Sequence, residues 1–451
     1  MDLEQKKVLV FGTGISGIAA SKLLQQANAD VILYDGNDKL TESDIRSKLP
    51  VEFAGRILLG NISEEIISTL NLIVLSPGVP TDLDIINYLR DKNIPIWGEI
   101  ELAYQFSKGK IAAITGTNGK TTTTTLVGDI MKIYYESVFV VGNIGVPYTE
   151  MVTQTNDNSV TVAEMSSFQL ETIQSFKPNV SAILNITPDH LNRHHTMENY
   201  IAAKVNITLN QDQNDVCVLN YEDEALRAVG DKLKTNVFYF SSLRELEDGI
   251  YLDGENIYYS VNKDKTLVCN INELNIFGRH SYENVMAAVA IGIAMNVPLS
   301  FIKKAITEFV AVEHRIEYVA TKHGVKYYND SKGTNPDASM KAIESMQTPT
   351  ILIAGGYDKG SEYDQWIEAF GGKIKFLVLL GQTKDKIAEA AKQHGFHDII
   401  MVESLKEAVD ISAAKANSGE CVLLSPACAS WGMFKNYEER GTLFKEYVNN
   451  L

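Results

Sequence analysis

The stretch Thr115-Gly-Thr-Asn-Gly-Lys-Thr-Thr122 has the composition of a loop that binds phosphate, with glycines, threonines, one asparagine and one lysine. Its two glycines allow successive backbone N–H groups to point inward at an anion. Lys120 offers a positive charge to the β- and γ-phosphates of a nucleotide, and Thr121 offers a hydroxyl to Mg²⁺. The strict G-x-x-x-x-G-K-[ST] pattern is not met, because isoleucine stands at the position of its first glycine. A glycine-containing turn of an ordinary α/β protein is therefore the alternative interpretation.

The elements on either side of this loop favour the phosphate interpretation. Residues 110–114 are apolar and rich in Ile and Ala, which predicts a buried parallel strand. Residues 124–134 form a predicted helix, whose N-terminal end adds a positive dipole. Strand, loop and helix together predict an ATP site that comprises Gly116, Thr117, Asn118, Gly119, Lys120, Thr121 and Thr122.

A second glycine motif, Gly12-Thr-Gly-Ile-Ser-Gly17, lies near the start of the chain. It follows a predicted strand at 7–11 and precedes a predicted helix at 18–26. Asp35 ends the next strand, 18 residues after the last glycine, where a ribose hydroxyl would be met. One interpretation is an NAD(P)- or FAD-dependent oxidoreductase. The other is a Rossmann-like domain that uses the same turn for a different nucleotide diphosphate.

Polar side chains also follow other predicted strands, at the edge where such sheets bind ligands. Glu164 ends the apolar strand that begins at 161, a position that is disfavoured without a partner such as Mg²⁺. His190 follows a predicted strand at 180–186, on the same sheet edge as the phosphate loop. A solvent-exposed strand end is the alternative for Glu164. By composition, Lys204 is a solvated helix lysine, and Asn284 lies near a helix start, either on the surface or at an adenine edge.

Alternation of strands and helices predicts an α/β protein of three domains. Residues 1–98 form a Rossmann-like domain, and residues 99–311 form a central parallel-sheet domain with a small antiparallel β insertion at 236–277. Residues 312–451 form a C-terminal doubly wound, Rossmann-like domain. Its predicted strands are 325–328, 350–354, 375–380, 398–402 and 421–424, and its predicted helices are 363–370, 383–394 and 404–416.

Composition limits the class of protein. The 41 basic and 57 acidic residues give a formal net charge of −16, which argues against a nucleic-acid-binding surface. The four cysteines have no C-x-x-C spacing, as expected of buried thiols in a reducing compartment. No apolar run approaches the ~18 residues that a membrane span needs. We therefore expect a cytoplasmic protein without a membrane span.

Longer stretches resemble the Mur ligase family, the ATP-dependent amide-forming enzymes of peptidoglycan precursor synthesis. The resemblance spans the whole chain. It includes the loop at 115–121, Asp189-His190, Glu313-His-Arg315, Asn329-Asp-Ser-Lys332 and the glycine-rich loop at 355–360. The stretches 164–171 and 424–441 are most similar to members that join D-glutamate to UDP-N-acetylmuramoyl-L-alanine.

This resemblance implies a reaction through an acyl phosphate, with ATP and two Mg²⁺ (or Mn²⁺) as cofactors. It implies that Lys120, Glu164, His190 and Lys204 are catalytic. Thr121 and Glu164 would hold the first metal ion, and His190 and Lys204 the second, with Lys204 carbamylated. Carbamylation turns a cation into an anionic oxygen ligand of the kind that Mg²⁺ prefers.

The resemblance also implies which residues bind each of the three substrates. The ATP site gains Asn284, Arg315, Asp330 and Lys332. The uridine substrate is expected to meet Gly14, Ile15, Ser16, Asp35, Ser76, Gly78, Asn143, Ser166 and His190. D-glutamate is expected to meet Thr334, Lys359, Ser430 and Tyr437.

The third domain is expected to swing onto the central one, with hinges near residues 98 and 311. The protein is expected to be a monomer. Ser281 stands where the family commonly has asparagine, and no arginine follows Asp35.

Three alternatives stay open at this point. Folylpolyglutamate synthases share the phosphate loop and the second and third domains, but lack a Rossmann-like uridine-nucleotide domain of the kind that 1–98 suggest. An oxidoreductase leaves Lys120 and Glu164 without a role. A non-catalytic nucleotide-binding module does not explain why a strand-end glutamate, a histidine and a lysine converge on the loop.

Overall fold

Residues 3–143, 145–310 and 313–451 are described by a computed structural model. The chain divides into two compact units. The first comprises Met1–Leu274 and Glu283–Phe309, and the second comprises Asn275–Tyr282 and Val310–Leu451. No helix among the described residues is long and apolar enough to cross a membrane.

The first unit begins with a five-stranded parallel sheet in the order β3-β2-β1-β4-β5. Its strands are β1 (Lys7–Phe11), β2 (Asp30–Asp35), β3 (Arg56–Leu59), β4 (Leu72–Leu75) and β5 (Ile96–Gly98). Its helices are α1 (Ile15–Gln26), α2 (Glu42–Arg46), α3 (Glu64–Ile67) and α4 (Asp84–Asp91). This confirms the predicted Rossmann-like sheet. The short, partly exposed strand β3 was not predicted, and α1 begins three residues earlier than predicted, because the extended Gly14 is its N-cap.

The same unit continues with a nine-stranded sheet in the order β14-β13-β12-β11-β10-β9-β6-β8-β7. The strands are β6 (Lys110–Thr115), β7 (Val138–Gly142), β8 (Val160–Glu164), β9 (Val180–Ile183), β10 (Val216–Asn220), β11 (Asn236–Ser241), β12 (Gly249–Asp253), β13 (Asn256–Val261) and β14 (Asp264–Asn270). The helices are α5 (Glu99–Tyr104), α6 (Lys120–Tyr134), α7 (Tyr148–Met151), α8 (Ser167–Leu170), α9 (Leu191–His194), α10 (Met197–Val205), α11 (Glu224–Gly230), α12 (Arg279–Ala294) and α13 (Leu299–Glu308). The first residues of α12, up to Tyr282, are assigned to the second unit.

The predicted β insertion is only partly antiparallel. Strand β11 pairs in parallel with β10, and β12 pairs in parallel with β11. The antiparallel pairs are β12 with β13 and β13 with β14, which form two hairpin ladders. The insertion therefore continues the central sheet, since β11 and β12 join it to β10 through parallel pairs.

One hydrophobic core serves both sheets of this unit. Helix α1 packs against α5 and α7. The core cluster accordingly contains Leu23 of α1, Ile100 and Leu102 of α5, and Tyr148 of α7. The carboxylate of Glu101 accepts hydrogen bonds from the backbone N–H groups of residues 174–176, so α5 is held against the segment that follows α8.

The second unit contains a six-stranded sheet in the order β15-β16-β20-β17-β18-β19, parallel except for β15. Its strands are β15 (Glu317–Lys322), β16 (Val325–Asn329), β17 (Thr350–Ala354), β18 (Ile374–Leu379), β19 (Ile399–Met401) and β20 (Cys421–Leu424). Its helices are α14 (Pro336–Ser345), α15 (Asp364–Glu368), α16 (Lys384–Gln393), α17 (Leu405–Lys415) and α18 (Tyr437–Asn449). All five predicted strands are present, whereas β15, α14 and α18 were not predicted.

Candidate active site

The loop between β6 and α6 is fixed by its neighbours at the carboxyl edge of the sheet. Gly119 adopts φ +84° and caps α6, so that the helix begins at Lys120 and not at the predicted residue 124. The backbone N–H of Asn118 donates to Asn185 Oδ1 over 2.9 Å. The Lys120 ammonium donates to the carbonyl oxygens of residues 116 and 117, both over 2.8 Å. The N-terminal end of α6 and the ammonium group of Lys120 therefore both lie at the loop, which is the arrangement of an anion-binding site.

Asn284 contacts this loop from within α12. The sequence pattern predicts a position near a helix start, but the helix begins at Arg279 and Asn284 is only 7% exposed. A Cβ atom on Gly119 would lie 2.2 Å from Asn284 Oδ1. An alanine at position 119 would therefore require the loop or the Asn284 side chain to move. Asn284 is a buried partner of the phosphate loop and not a surface residue.

Lys204 is buried beside the same loop, with 2% of the residue exposed. Its prediction as a solvated helix lysine is wrong, because α10 turns this side chain inward. The ammonium donates to the Gly116 carbonyl oxygen over 2.8 Å and lies 4.6 Å from the ring centroid of Tyr200. Burial, with the nearby Lys120 charge, holds the pKa of Lys204 well below its usual value, and Asp189 opposes this shift.

Glu164 ends β8 beside the strand that leads into the loop, since Glu164 pairs with Ile114 in register. Its Oε1 accepts a hydrogen bond of 2.8 Å from Asn143 Nδ2. Among the described residues its buried Oε2 has no hydrogen-bond partner, and neither has the hydroxyl of Thr122. A buried carboxylate oxygen without a donor is costly unless a cation completes it.

His190 follows β9, which flanks β6 on the other side. It adopts φ +54° immediately before α9, and its side chain is half exposed. The imidazole lies 3.6 Å from Asp189 Oδ2 and 5.0 Å from the ring of Phe168. Within the ranges described above, no three His, Cys, Asp or Glu side chains are clustered tightly enough to hold a metal ion without other ligands.

A cavity of about 670 Å³ lies between the first sheet and the central domain. Seven of the residues predicted for the uridine substrate line it: Gly14, Ile15, Ser16, Asp35, Ser76, Gly78 and Asn143. Ser166 and His190 do not line it. Ser166 instead caps α8, accepting from Gln169 N. Asn143, which lines the cavity, also donates a hydrogen bond to Glu164.

Asp35 already has hydrogen-bond partners at this cavity. Its Oδ2 accepts from both the hydroxyl and the backbone N–H of Thr13, at 2.7 and 3.2 Å. Its Oδ1 accepts from the backbone of Asn37. The carboxylate therefore holds the glycine turn in shape. Thr13 and Gln169 also line the cavity and were missed, since a hydroxyl inside a glycine motif and an amide after a strand carry no distinctive pattern.

In the second unit, a buried carboxylate follows β16. Burial raises the pKa of Asp330 to about 7, although Arg315 lowers it. Asp330 Oδ2 accepts from Ser425 Oγ over 2.7 Å. Among the described residues the buried Nε of Arg315 has no hydrogen-bond acceptor. Arg315 and Asp330, predicted around ATP, therefore lie in one charged cluster.

Of the residues predicted for D-glutamate, Thr334, Lys359 and Ser430 lie in loops of the same unit, and Tyr437 begins a helix. The Lys332 ammonium lies 5.4 Å from the ring centroid of Tyr437, the first residue of α18. The backbone N–H of Thr334 donates to the carbonyl oxygen of Lys332. The Lys359 ammonium lies 5.3 Å from the ring centroid of Trp431, which follows the buried Ser430.

Two buried residues of this unit support those loops and were not predicted. Arg440 donates to the hydroxyl and the carbonyl oxygen of Ser331, at 3.0 and 2.8 Å. The Ser331 hydroxyl donates in turn to the carbonyl oxygen of Tyr437. An arginine within a helix is usually a surface residue, so only the fold reveals that Arg440 is buried.

Three family models match the chain. They are Mur ligase MurD-like, N-terminal domain at residues 6–98, Mur ligase middle domain at 114–292, and Mur ligase, glutamate ligase domain at 314–428. The three matched regions, with their mostly parallel sheets, confirm the predicted three-domain α/β fold.

Relatives match over their full length. A protein of Lachnoclostridium phytofermentans, named UDP-N-acetylmuramoylalanine–D-glutamate ligase, is 64% identical, over 100% of this chain and 99% of the relative. A protein of Lachnospira eligens with the same name is 56% identical, over 100% of both chains.

Solved structures agree on the fold. UDP-N-acetylmuramate-alanine ligase MurC from Thermotoga maritima gives a TM-score of 0.60 at 20% identity, over 99% of each chain. A pseudomurein peptide ligase type C from Methanothermus fervidus gives 0.61 at 17% identity, also over 99% of each chain. The family resemblance of the sequence is thus confirmed: this chain belongs to the Mur ligase family.

Proposed function

We propose that this chain is an ATP-dependent ligase that joins D-glutamate to UDP-N-acetylmuramoyl-L-alanine, in the cytoplasmic synthesis of peptidoglycan precursors. One observation carries the proposal. The cavity beside the glycine turn leads through Asn143 and Glu164 to the phosphate loop, within a chain 64% identical to a ligase of that name. A nucleotide substrate in the cavity therefore has its far end directed towards the ATP phosphates.

The three segments take different substrates. Residues 1–98 bind the uridine nucleotide, residues 99–311 bind ATP, and residues 312–451 bind the incoming amino acid and close over ATP, hinged near residues 98 and 311. The chain acts as a monomer on small molecules.

Metal binding is supported by the free oxygen of Glu164. Glu164 and Thr121 would hold one Mg²⁺ or Mn²⁺, and His190 and a carbamylated Lys204 would hold a second. When bound, these ions screen the charge between the substrate carboxylate and the γ-phosphate. Three of the four donors, the carboxylate of Glu164, the hydroxyl of Thr121 and the carbamate of Lys204, are oxygen ligands of the kind that Mg²⁺ prefers, and His190 would add an imidazole nitrogen.

Carbamylation of Lys204 is supported by its surroundings. The side chain is buried, close to Lys120, and its low pKa favours the neutral amine that adds to CO₂ with loss of a proton. The carbamate replaces a repulsion between two ammonium groups by an attraction.

The remaining chemistry follows from charge and position. An oxygen of the substrate carboxylate attacks the γ-phosphorus, ADP leaves, and Lys120 neutralises the transferred phosphoryl group. The amine of D-glutamate then attacks the acyl carbon and loses a proton, and phosphate leaves with the former carboxylate oxygen. Lys359 pairs with a carboxylate of D-glutamate, while Thr334, Ser430 and Tyr437 orient it. Asn284, Arg315, Asp330 and Lys332 surround ATP.

The decisive experiment is ATP-dependent phosphate release with UDP-N-acetylmuramoyl-L-alanine and one amino acid at a time. Release that requires D-glutamate, and does not occur with L-glutamate, L-lysine or L-alanine, supports the proposal. Release with another amine keeps the family and replaces the assignment of Thr334, Lys359, Ser430 and Tyr437. No release with any of them contradicts the proposed function.

A further inference from the structure

We propose that Glu171 and Arg193 form a positioning pair that fixes the loop carrying His190 against the wall of the nucleotide cavity. This inference rests on the proposed function, because it assigns the cavity to the uridine substrate and His190 to the reacting end. Neither residue of the pair is among the predicted substrate, ATP or metal residues, and neither lines the cavity.

The pair joins two segments that are far apart in sequence. Arg193 Nη2 donates to Glu171 Oε2 over 2.9 Å and to the carbonyl oxygen of Val79 over 3.2 Å. The Thr81 hydroxyl donates to the same Glu171 oxygen over 3.1 Å. Val79 itself lines the cavity, in the turn that follows β4. A single guanidinium thus connects the cavity wall to the central domain.

The other side of the pair holds the segment after His190. Glu171 Oε1 lies 3.4 Å from Nδ1 of His194, whose Nε2 lies 2.9 Å from the hydroxyl of Ser167. The Arg193 guanidinium lies 4.7 Å from the ring centroid of Phe168. That ring also contacts His190 and stacks on His194. Arg193 and His194 belong to the short helix that begins directly after His190.

Burial makes these contacts specific. The side chains of Arg193 and Glu171 are only 13% and 15% exposed. Removal of one partner from a buried ion pair leaves the other charge without compensation, so the surrounding segments rearrange. Arg193 contacts the Val79 carbonyl and lies in the segment that follows His190. Such a change is therefore expected to alter both the binding of the nucleotide substrate and the position of His190.

The test compares Arg193→Met, Glu171→Gln and the double variant with the wild type. The readouts are the dissociation constant of UDP-N-acetylmuramoyl-L-alanine without ATP, the KM for ATP, and kcat. Arg193→Met is expected to weaken nucleotide-substrate binding and to lower kcat, each by about 10-fold, with the KM for ATP changed less than about 2-fold. The double variant is expected to be no worse than Arg193→Met, since both changes break one interaction.

Arg244→Met is the matched control. Arg244 also pairs with a largely buried glutamate, Glu222, over 2.8 Å, and its guanidinium also lies near an aromatic ring, that of Tyr221. Unlike Arg193, Arg244 is half exposed, and its partners Glu222 and Tyr221 neither line the nucleotide cavity nor belong to the segment after His190. It is expected to leave the substrate dissociation constant and kcat unchanged.

The positioning role would be overturned by changes no larger than those of Arg244→Met, or by independent, additive effects of the two single changes. Loss of thermal stability with unchanged substrate affinity and kcat would likewise reduce the pair to a structural contact. If the wild type binds the nucleotide substrate but releases no phosphate with D-glutamate, the proposed function fails. The affinity measurements then still decide whether the pair positions the cavity wall.

Discussion

Lys120 and Lys204 donate to the same acceptor, the carbonyl oxygen of Gly116, each over 2.8 Å. Two ammonium groups on one oxygen repel each other, and burial strengthens that repulsion. The Tyr200 ring offsets part of it through its contact with Lys204. This arrangement is more stable when one of the two side chains is not cationic, a condition that a neutral Lys204 amine and the proposed Lys204 carbamate both meet.

We expect Lys204→Ala to lower ligase turnover on the order of 1,000-fold, because it would remove the carbamate oxygen proposed as a metal ligand at the site where charge develops. Lys204→Arg is the informative companion, since it retains a cation but cannot form the carbamate; it should be equally impaired. Mass spectrometry under CO₂ should find the 204 adduct in the wild type. Near-normal turnover of the alanine variant would refute the assignment.

Glu164→Gln separates function from stability. Its Oε2 has no partner among the described residues, so an uncharged amide should leave the thermal midpoint unchanged or raise it. At the same time we expect kcat to fall about 100-fold and half-maximal activity to require more Mg²⁺. The measurement is a Mg²⁺ titration of phosphate release beside a melting curve. Reduced stability with an unaltered Mg²⁺ requirement would argue for a purely structural carboxylate.

Gly119→Ala tests the fit between the phosphate loop and Asn284. The added Cβ meets Asn284 Oδ1 at 2.2 Å, and φ is +84°. We expect the KM for ATP to rise by at least about 10-fold, since the loop must shift.

The control for that change is Gly254→Ala, in the turn between β12 and β13. Gly254 has φ +57° with no atom near the added Cβ. It should cost about 1–2 kcal/mol of stability and leave the KM for ATP unchanged. Equal KM values for the two variants would show that the clash with Asn284 does not matter.

Trp431→Leu tests whether the indole ring holds Lys359 for the amino acid. An exposed cation–π contact contributes about 0.5–1 kcal/mol, so the KM for D-glutamate should rise about 2- to 5-fold. Trp431→Tyr should retain most of the affinity. Tyr88→Leu, which removes the Lys92–Tyr88 contact of the first domain, is the control and should have no effect on this KM. An unchanged KM in Trp431→Leu would exclude the contact from substrate binding.

Much of the candidate active site can be predicted from the polar residues that follow parallel strands. Parallel strands place their carboxyl ends at one edge, so the order of strands along the chain is enough to group Glu164, His190 and the phosphate loop. The same reasoning places Gly14, Asp35, Ser76 and Asn143 near a ligand, and these four line one cavity.

Residues whose surroundings come from distant segments are not predictable in this way. Nothing in residues 197–205 tells which face of α10 is covered, so the local pattern favours a solvated Lys204. Arg193 and Glu171 carry ordinary charges, and their partners at Val79 and Thr81 are about a hundred residues away in sequence. Helix α18 and strand β15 were missed because their polar, half-exposed residues give weak periodicity.

The hydrophobic core shared by α1, α5 and α7 has a consequence for how such chains diversify. Residues 6–98 match a family model of their own, yet the apolar surface of this domain is completed by Ile100, Leu102 and Tyr148 of the next domain. A first domain transplanted from a relative by recombination at residue 98 would bring its own version of α1 to a foreign α7. Such chimeras are expected to fold only when these two helices are exchanged together, so inheritance of the nucleotide cavity is tied to inheritance of the packing beneath it.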